Sequence, residues 1–212
     1  MFLEFCNYNN SFVSSSDKQI QEIFEAIELK FEGVAIPLYL LRKTQPFIKD
    51  LSLSIATSSD FPEGKGDKKL RLHETIVGLR AGANKIDLVA SPFLIEDGEY
   101  LELCEEFKTH KRACDEYDAE LRIVINHTSY SPSKIITIAR VVEDSGVEFM
   151  LPSSGFHNDD IYDNLLVSNS IESNTGLQVI SNGYIWLEKQ YEAAIGSGIF
   201  GLRLYNFQLL QK

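Results

Sequence analysis

The sequence predicts an α/β fold, a single-domain (β/α)8 TIM barrel that spans residues 1–212. Short apolar segments typical of strands alternate with amphipathic helical stretches, which predicts a parallel sheet. A glycine follows the end of several of these helices, shortly before the next strand. The chain has 212 residues and 44% hydrophobic residues, which suffices for one core near the lower size limit of such a barrel.

Eight segments are predicted as strands from their apolar runs and the turn signals around them. They cover residues 3–6, 34–36, 51–55, 86–89, 121–125, 149–151, 177–180 and 199–204. A doubly wound open sheet is the alternative arrangement of the same elements. No G-x-G-x-x-G motif follows the first strand, so nothing indicates a dinucleotide cofactor, and we favour the barrel.

The helices between these strands are predicted from apolar stripes with helical period. Residues 16–19 (SDKQ) are typical of a capping box at the start of the first helix, and Pro132 follows a predicted Ser131 cap. Gly82, Gly146 and Gly198 are predicted to end helices in the left-handed conformation. The apolar stripes comprise Ile20, Ile23, Phe24 and Ile27; Leu72, Ile76 and Leu79; Ile135, Ile138, Ala139 and Val142; and Leu187, Tyr191 and Ala194.

Composition excludes several classes of partner. The formal net charge of −11 and the pI of about 4.8 argue against nucleic acid or an anionic membrane as the main partner. The N-terminal segment lacks the pattern of a signal peptide, and no stretch is apolar enough to span a membrane. Cys6, Cys104 and Cys114 have no zinc spacing, and we interpret them as reduced thiols of a cytoplasmic protein. His73 and His157 likewise indicate no metal site.

Three motifs carry a family resemblance. Residues 61–64 (FPEG) resemble an F-P-x-G turn, and residues 81–89 (AGANKIDLV) resemble a G-A-D-E-I-D-M-V strand. Residues 96–100 (EDGEY) resemble a K-S-G-D-Y helix start. All three belong to the deoxyribose-phosphate aldolases, class I aldolases with a TIM barrel fold. The chain resembles this family ungapped from residue 61 to 100, and more weakly from residue 6 to about 206.

The resemblance implies that the lysines of the aldolase reaction are absent. Residues 149–156 (FMLPSSGF) align with the family's F-V-K-T-S-T-G-F, which puts Leu151 at the Schiff-base lysine. Residues 178–183 (QVISNG) align with V-K-A-S-G-G, which puts Val179 at a second lysine. A neighbouring cation depresses the pKa of a nucleophilic lysine, so the nucleophile and its activator are both missing from this alignment.

Asp87 is the strongest catalytic candidate because it matches the aspartate of the family's fourth strand. An acid within an apolar strand is costly to bury unless it is paired or functional. The alternative is a structural hydrogen bond. Asn126 and His127 end the fifth strand, where the histidine could act as a general base or be a loop residue with a satisfied hydrogen bond.

A ligand site is predicted at the carboxyl ends of the strands, where barrel enzymes bind their substrates. The resemblance implies a small sugar or sugar phosphate as the ligand, with Arg203 as a cation if its side chain points into the mouth of the barrel. Lys85 shares the strand face of Asp87 but lies closer to the bottom of the barrel, so it is a poor replacement nucleophile. The predicted ligand-binding residues are Ser153, Ser154, Ser181, Asn182, Gly183 and Arg203.

Two functions therefore remain open. The first is a homologue without Schiff-base chemistry, either a small-molecule-binding protein or a non-catalytic scaffold. The second is an active carbon–carbon lyase that uses Asp87 with His127, Asn126 or a relocated amine. Self-association into a homo-oligomer is compatible with both functions, and no cofactor is expected in either.

Overall fold

The computed structural model describes residues 1–8, 14–156 and 160–211, and its eight parallel strands close into a barrel in chain order. The closing pair joins the first strand to the last, with Glu4 opposite Arg203. This confirms the predicted barrel. The strands are β1 (Phe2–Cys6), β2 (Gly33–Ala35), β3 (Ser54–Ser59), β4 (Lys85–Val89), β5 (Glu120–Val124), β6 (Phe149–Leu151), β7 (Gln178–Gly183) and β8 (Gly201–Leu204).

Helices cover the outside of the barrel, and a continuous apolar core fills the space between the two layers. None of the helices in the described ranges is long and apolar enough to cross a membrane. The helices are α1 (Ser16–Glu28), α2 (Leu38–Ile48), α3 (Lys68–Arg80), α4 (Pro92–Glu96), α5 (Tyr100–Asp115), α6 (Pro132–Asp144), α7 (Ile161–Asn174) and α8 (Glu188–Gly196).

Two strands differ from the sequence prediction by three or more residues at an end. The third strand was expected at residues 51–55 but begins at Ser54, because the chain still turns after α2 and Leu51 donates its amide to the Ile48 carbonyl. The side chain of Asn84 then fixes the strand start, since it accepts from the Ile55 amide and donates to the Leu53 carbonyl. At its carboxyl end, β7 continues to Gly183, three residues beyond the prediction.

Helix ends follow the predicted chemistry with one shift. Ser131 caps α6, and its hydroxyl accepts from the Lys134 amide, as predicted. The cap of α1 is Ser15, one residue before the predicted capping box, and its hydroxyl accepts from the Lys18 amide. Gly82, Gly146 and Gly198 have φ values of +97°, +79° and +74°, which confirms the left-handed ends.

The apolar stripe predicted for α6 is confirmed, since Ile135, Ile138, Ala139 and Val142 are the buried residues of that helix. The stripe predicted for α3 is wrong in part. This helix buries Leu79, but Leu72 and Ile76 are only half-buried, and the face packed inward consists mainly of Arg71, Thr75 and Gly78. Of the stripe predicted for α8, Ala194 is buried and Tyr191 is half-buried against the core, whereas Leu187 is exposed.

The polar face of α3 is buried because α5 and the strands supply partners for it. Arg71 donates to Glu106 on α5 and to the carbonyl of Val89, and it forms an ion pair with Asp60. One turn further, Thr75 lies 2.8 Å from Nδ1 of His110 on α5. Burial, together with the positive charges of Arg71 and Lys68, lowers the pKa of His110 to about 3.

This buried histidine predicts a pH dependence of stability. Between pH ~6.5 and ~3 the unfolded chain binds a proton on residue 110 that the folded chain does not bind, so stability falls as the pH is lowered through this window. We expect His110→Gln to lower the slope of unfolding free energy against pH in this window. The decrease should be about 1.4 kcal/mol per pH unit, which corresponds to the binding of one proton. Urea titrations at several pH values measure this slope.

His73→Gln is the matched control, because His73 lies on the exposed face of α3. It should keep the wild-type slope. An unchanged slope in His110→Gln would contradict the assignment of the acid sensitivity to this buried ring.

Candidate functional site

Four charged side chains meet inside the barrel. Glu4 of β1, Asp87 of β4, Arg122 of β5 and Arg203 of β8 all point inward from the middle of their strands. Glu4 and Asp87 are fully buried, and the two arginines are 1% and 5% exposed. We call these four residues the charge ring.

The charge ring is a closed cycle of ion pairs. Glu4 accepts from Arg122 Nη1 at 2.9 Å and from Arg203 Nε at 2.6 Å. Asp87 accepts from Arg122 Nε and from Arg203 Nη2, each at 2.7 Å. Each carboxylate oxygen thus has its own arginine donor, and the ring connects the β4–β5 side of the barrel to the β8–β1 side.

The ring fixes the ionisation of Asp87. Burial by itself would raise the pKa of this carboxyl, but the positive charges and hydrogen bonds of Arg122 and Arg203 outweigh it and hold the pKa below its usual value. The same carboxylates raise the pKa of both guanidinium groups against the effect of burial. Asp87 is therefore a paired anion, as expected for the structural alternative considered from the sequence.

A layer of side chains separates the ring from the mouth of the barrel. Two residues after each charge, on the same strand face, lie Cys6, Val89, Val124 and Tyr205. All four are at most 2% exposed. Burial raises the pKa of the Cys6 thiol to about 12, so this cysteine is also a neutral member of the layer.

Leu151 belongs to this layer and contacts apolar side chains. It is opposite Val124 in the sheet and forms an interior cluster with Val89, Val124 and Ile180. Val179, the position aligned with the second lysine, instead contributes to the core between strands and helices. The strand register places Ile180 next to Leu151 on the inner face. The residue that the alignment puts at the second lysine, Val179, is therefore one position away from the residue that faces the interior.

Hydrogen bonds and aromatic rings among the described residues cover Leu151 on the side of the mouth. Asn182 donates to the Ser153 carbonyl and to the Tyr205 hydroxyl, and the Tyr205 ring lies so close to Gly155 that a Cβ there would overlap it. Tyr8 packs on Phe61 with ring centroids 4.6 Å apart, and its hydroxyl accepts from the Ser58 amide. Burial raises the pKa of Tyr8 to about 12.

His127 and Asn126 serve to connect loops. His127 Nε2 lies 2.7 Å from the side-chain oxygen of Asn164, whose amide donates to the Asn182 carbonyl. Asn126 accepts from the amide and hydroxyl of Ser154 and donates to the Pro62 carbonyl. The three predicted catalytic residues are therefore not brought together, because Asp87 lies below the apolar layer and the other two lie above it.

The predicted ligand-binding residues also divide into separate groups. Ser153, Ser154 and Asn182 are linked at the mouth through Asn126 and the Ser153 carbonyl. Ser181 is opposite Leu202 in the sheet, so it faces the helices, and Gly183 packs against Ile161.

Arg203 is directed into the charge ring and not toward the mouth. The nearby backbone offers no free amide at residue 185, because Asn206 accepts from the Ile185 amide and donates to its carbonyl. Arg203 and the Ile185 amide are therefore both engaged within the protein and are not free donors for a phosphate group.

Lys85 points inward at the bottom of the barrel, as predicted, and forms an ion pair with Glu120 at 2.6 Å. At the mouth, Lys65 is half-exposed and pairs with Glu63. Within the described ranges no group of three or more His, Cys, Asp or Glu side chains could hold a metal ion. His157 lies outside those ranges.

Glu4 and Arg122 were missed from the sequence, although the signal that selected Asp87 applies to them as well. Each interrupts an apolar strand, as in FLEFC for Glu4 and LRIV for Arg122. Two acidic and two basic residues in this position on four strands indicate mutual pairing once the strands are placed in one barrel.

Similarity to known proteins agrees with this fold. The deoxyribose-phosphate aldolase of Mycoplasmoides pirum is 28% identical over 198 residues, which cover 84% of each chain. The enzyme of the same name from Metamycoplasma hominis is 26% identical over 154 residues, which cover 72% of this chain and 70% of the other. The chain is a divergent relative of the deoxyribose-phosphate aldolases.

Solved structures extend the match to the whole fold. A tetrameric deoxyribose-phosphate aldolase from Aeropyrum pernix superposes with a TM-score of 0.84 at 16% identity, over 99% of this chain and 87% of that one. An aldolase called QR15 has a TM-score of 0.78 at 14% identity, over 97% of this chain and 89% of that one. No protein-family model matches the chain.

The charge ring predicts a large cost for losing one carboxylate. Asp87→Asn keeps the shape of the side chain but leaves two buried guanidinium groups with Glu4 as their anion. We expect the free energy of unfolding to fall by about 3–5 kcal/mol, since breaking a buried ion pair strands a charge. Urea unfolding followed by circular dichroism measures it.

Asp115→Asn is the matched control, because its ion pair with Lys111 is exposed on α5 and should contribute ~1 kcal/mol or less. Equal effects of the two substitutions would contradict the structural role given to the ring.

Proposed function

We propose that this protein is an aldolase-like barrel that does not perform Schiff-base aldol chemistry and acts instead as a small-molecule-binding protein. The observation that carries the proposal is Leu151, which is fully buried among Val89, Val124 and Ile180 at the position aligned with the nucleophilic lysine. A leucine offers no amine to attack a carbonyl, and the apolar cluster around it would oppose a protonated amine.

The state of Asp87 supports the same proposal. A residue that transfers protons needs an accessible atom and a pKa near the working pH. Both oxygens of Asp87 accept from arginines, its pKa is lowered, and the side chain is fully buried. It lacks both properties of a general acid or base at neutral pH.

For the ligand we propose a small sugar at the rim of the mouth, where a cavity of about 180 Å³ lies beside the carboxyl ends of β4 and β5. Its lining combines an aromatic ring with charged and amide groups, which suits hydroxyl-rich molecules. A sugar phosphate is less well supported, because Arg203 is engaged in the ring. The lining includes Glu63, Lys65, Glu96, Asn126, Ser129 and Tyr130.

Two further parts of the proposal concern setting and assembly. We propose a cytoplasmic protein, in keeping with the free thiols of Cys6, Cys104 and Cys114. We also propose self-association, since Leu70, Phe93 and Leu101 are exposed on consecutive helices. Sedimentation velocity of wild type and of Leu101→Asp tests this assembly.

Borohydride trapping tests the loss of chemistry. The purified protein is incubated with deoxyribose 5-phosphate or acetaldehyde, reduced, and examined by intact mass and peptide mapping. We expect an unmodified mass because no amine stands at Leu151. The Mycoplasmoides pirum aldolase, treated in parallel, is the positive control.

A stable adduct on any lysine would instead favour the active lyase with a relocated amine. Lys65 is the lysine to examine first, because it lines the rim cavity. Lys65→Arg would then abolish the adduct, whereas Lys69→Arg, an exposed lysine near the start of α3, would keep it.

A further inference from the structure

A second cavity lies at the opposite end of the barrel, where the strands begin. Its volume is about 230 Å³, and it is open to solvent. Barrel enzymes place their chemistry at the carboxyl ends of the strands, so this cavity is separate from the site inherited with the fold. We call it the basal cavity. It is lined by Phe2, Ser54, Lys85, Glu120, Arg122, Phe149, Ile180 and Phe200.

One wall of the basal cavity is aromatic. The rings of Phe2 and Phe200 stack with centroids 6.0 Å apart and an interplanar angle of 24°. Phe149 lies against Phe200 with centroids 5.5 Å apart. Three neighbouring rings at an open cavity offer a flat molecule an apolar surface to stack on.

On the other side of the cavity, Arg122 and Ser54 each have a buried hydrogen-bonding atom that lacks a partner among the described residues. Arg122 uses Nε and Nη1 in the charge ring, but its Nη2 has no partner among the described residues. The hydroxyl of Ser54 is likewise buried with no partner there. Leaving such groups unpaired costs on the order of 1–3 kcal/mol each, so an oxygen acceptor in the cavity would be stabilised.

The size of the cavity argues for more than a bridging water. A water molecule occupies about 30 Å³ in the liquid, and one water suffices to pair two polar atoms. The basal cavity offers about 230 Å³ beside those atoms, which is enough for a ring and one polar group.

The charges around the cavity decide between a neutral and an anionic ligand. The charge ring contains two acids and two bases, and Lys85 is paired with Glu120 at the rim of the cavity. No cation among these residues is left without an anion, so a carboxylate ligand would bring an uncompensated charge. A neutral carbonyl oxygen can accept from Arg122 Nη2 at no such cost.

We infer that the basal cavity binds an uncharged aromatic compound that carries an amide or ketone oxygen. The ring stacks on the phenylalanine wall, and the oxygen accepts from Arg122 Nη2 and from the Ser54 hydroxyl. The inference goes beyond the proposed function and does not depend on it, because the two sites lie at opposite ends of the barrel. A Schiff-base adduct at the mouth would leave it intact.

Benzamide is the probe, titrated into the ¹⁵N-labelled full chain and followed by two-dimensional NMR. We expect a dissociation constant of about 1 mM, in the range for nine non-hydrogen atoms, with the largest shifts at the amides of Phe2, Ser54, Phe149 and Phe200. Ser54→Ala should weaken binding about threefold to tenfold through the lost hydrogen bond. Ser54→Leu should abolish binding by filling the cavity.

Ser170→Ala on the exposed face of α7 is the matched control and should bind like wild type. Benzoate, which differs in charge, should bind at least tenfold more weakly than benzamide. Tighter binding of benzoate would overturn the neutral ligand class. Absence of basal shifts, or binding unaffected by Ser54→Ala, would overturn the site itself, and the alanine variant decides this if Ser54→Leu does not fold.

Discussion

The closed ring of ion pairs among Glu4, Asp87, Arg122 and Arg203 is the interaction on which the interior of this barrel depends. Burying four charges is expensive, and their attraction offsets the cost only if every member is present and hydrogen-bonded. Each carboxylate is paired with both arginines, so removal of one leaves a net buried charge. Removal of any one member is therefore expected to be strongly destabilising, which is a structural reason for Asp87 to be retained.

Because the ring has a structural role, similarity to aldolases and the capacity for aldolase chemistry are separate questions for this chain. Relatives at 24–28% identity are deoxyribose-phosphate aldolases, and the barrel superposes on solved aldolases over nearly its whole length. The sequence similarity is strong at residues that pack the barrel, as in the strand that carries Asp87. At Leu151, where the aldol reaction would require an amine, the interior is apolar. A shared fold does not by itself carry a shared reaction, and the proposed loss of aldol chemistry rests on the leucine at this position.

Much of the fold could be predicted from local patterns. The α6 stripe and the glycine-ended helices depend on a few neighbouring residues, and the structure follows them. The buried face of α3 could not be predicted in this way, because Arg71 is buried through partners distant in the sequence, among them Glu106, 35 residues away. The same limit applies to Val179. Whether its side chain points into the barrel or toward the helices depends on the strand register. A shift of one residue in the alignment reverses that direction.

The two ends of the barrel differ because of the residues on either side of the ring in each strand. Two positions beyond the charges, the inner face carries Cys6, Val89, Val124 and Tyr205, which seal the interior from the mouth. Two positions before them it carries Phe2, Lys85, Glu120 and Gly201, of which the first three line the basal cavity. The interior is therefore approached from the base, where one arginine nitrogen of the ring remains without a partner among the described residues. Because the charges of the ring neutralise one another, this nitrogen and the Ser54 hydroxyl would favour a neutral acceptor over an anionic one.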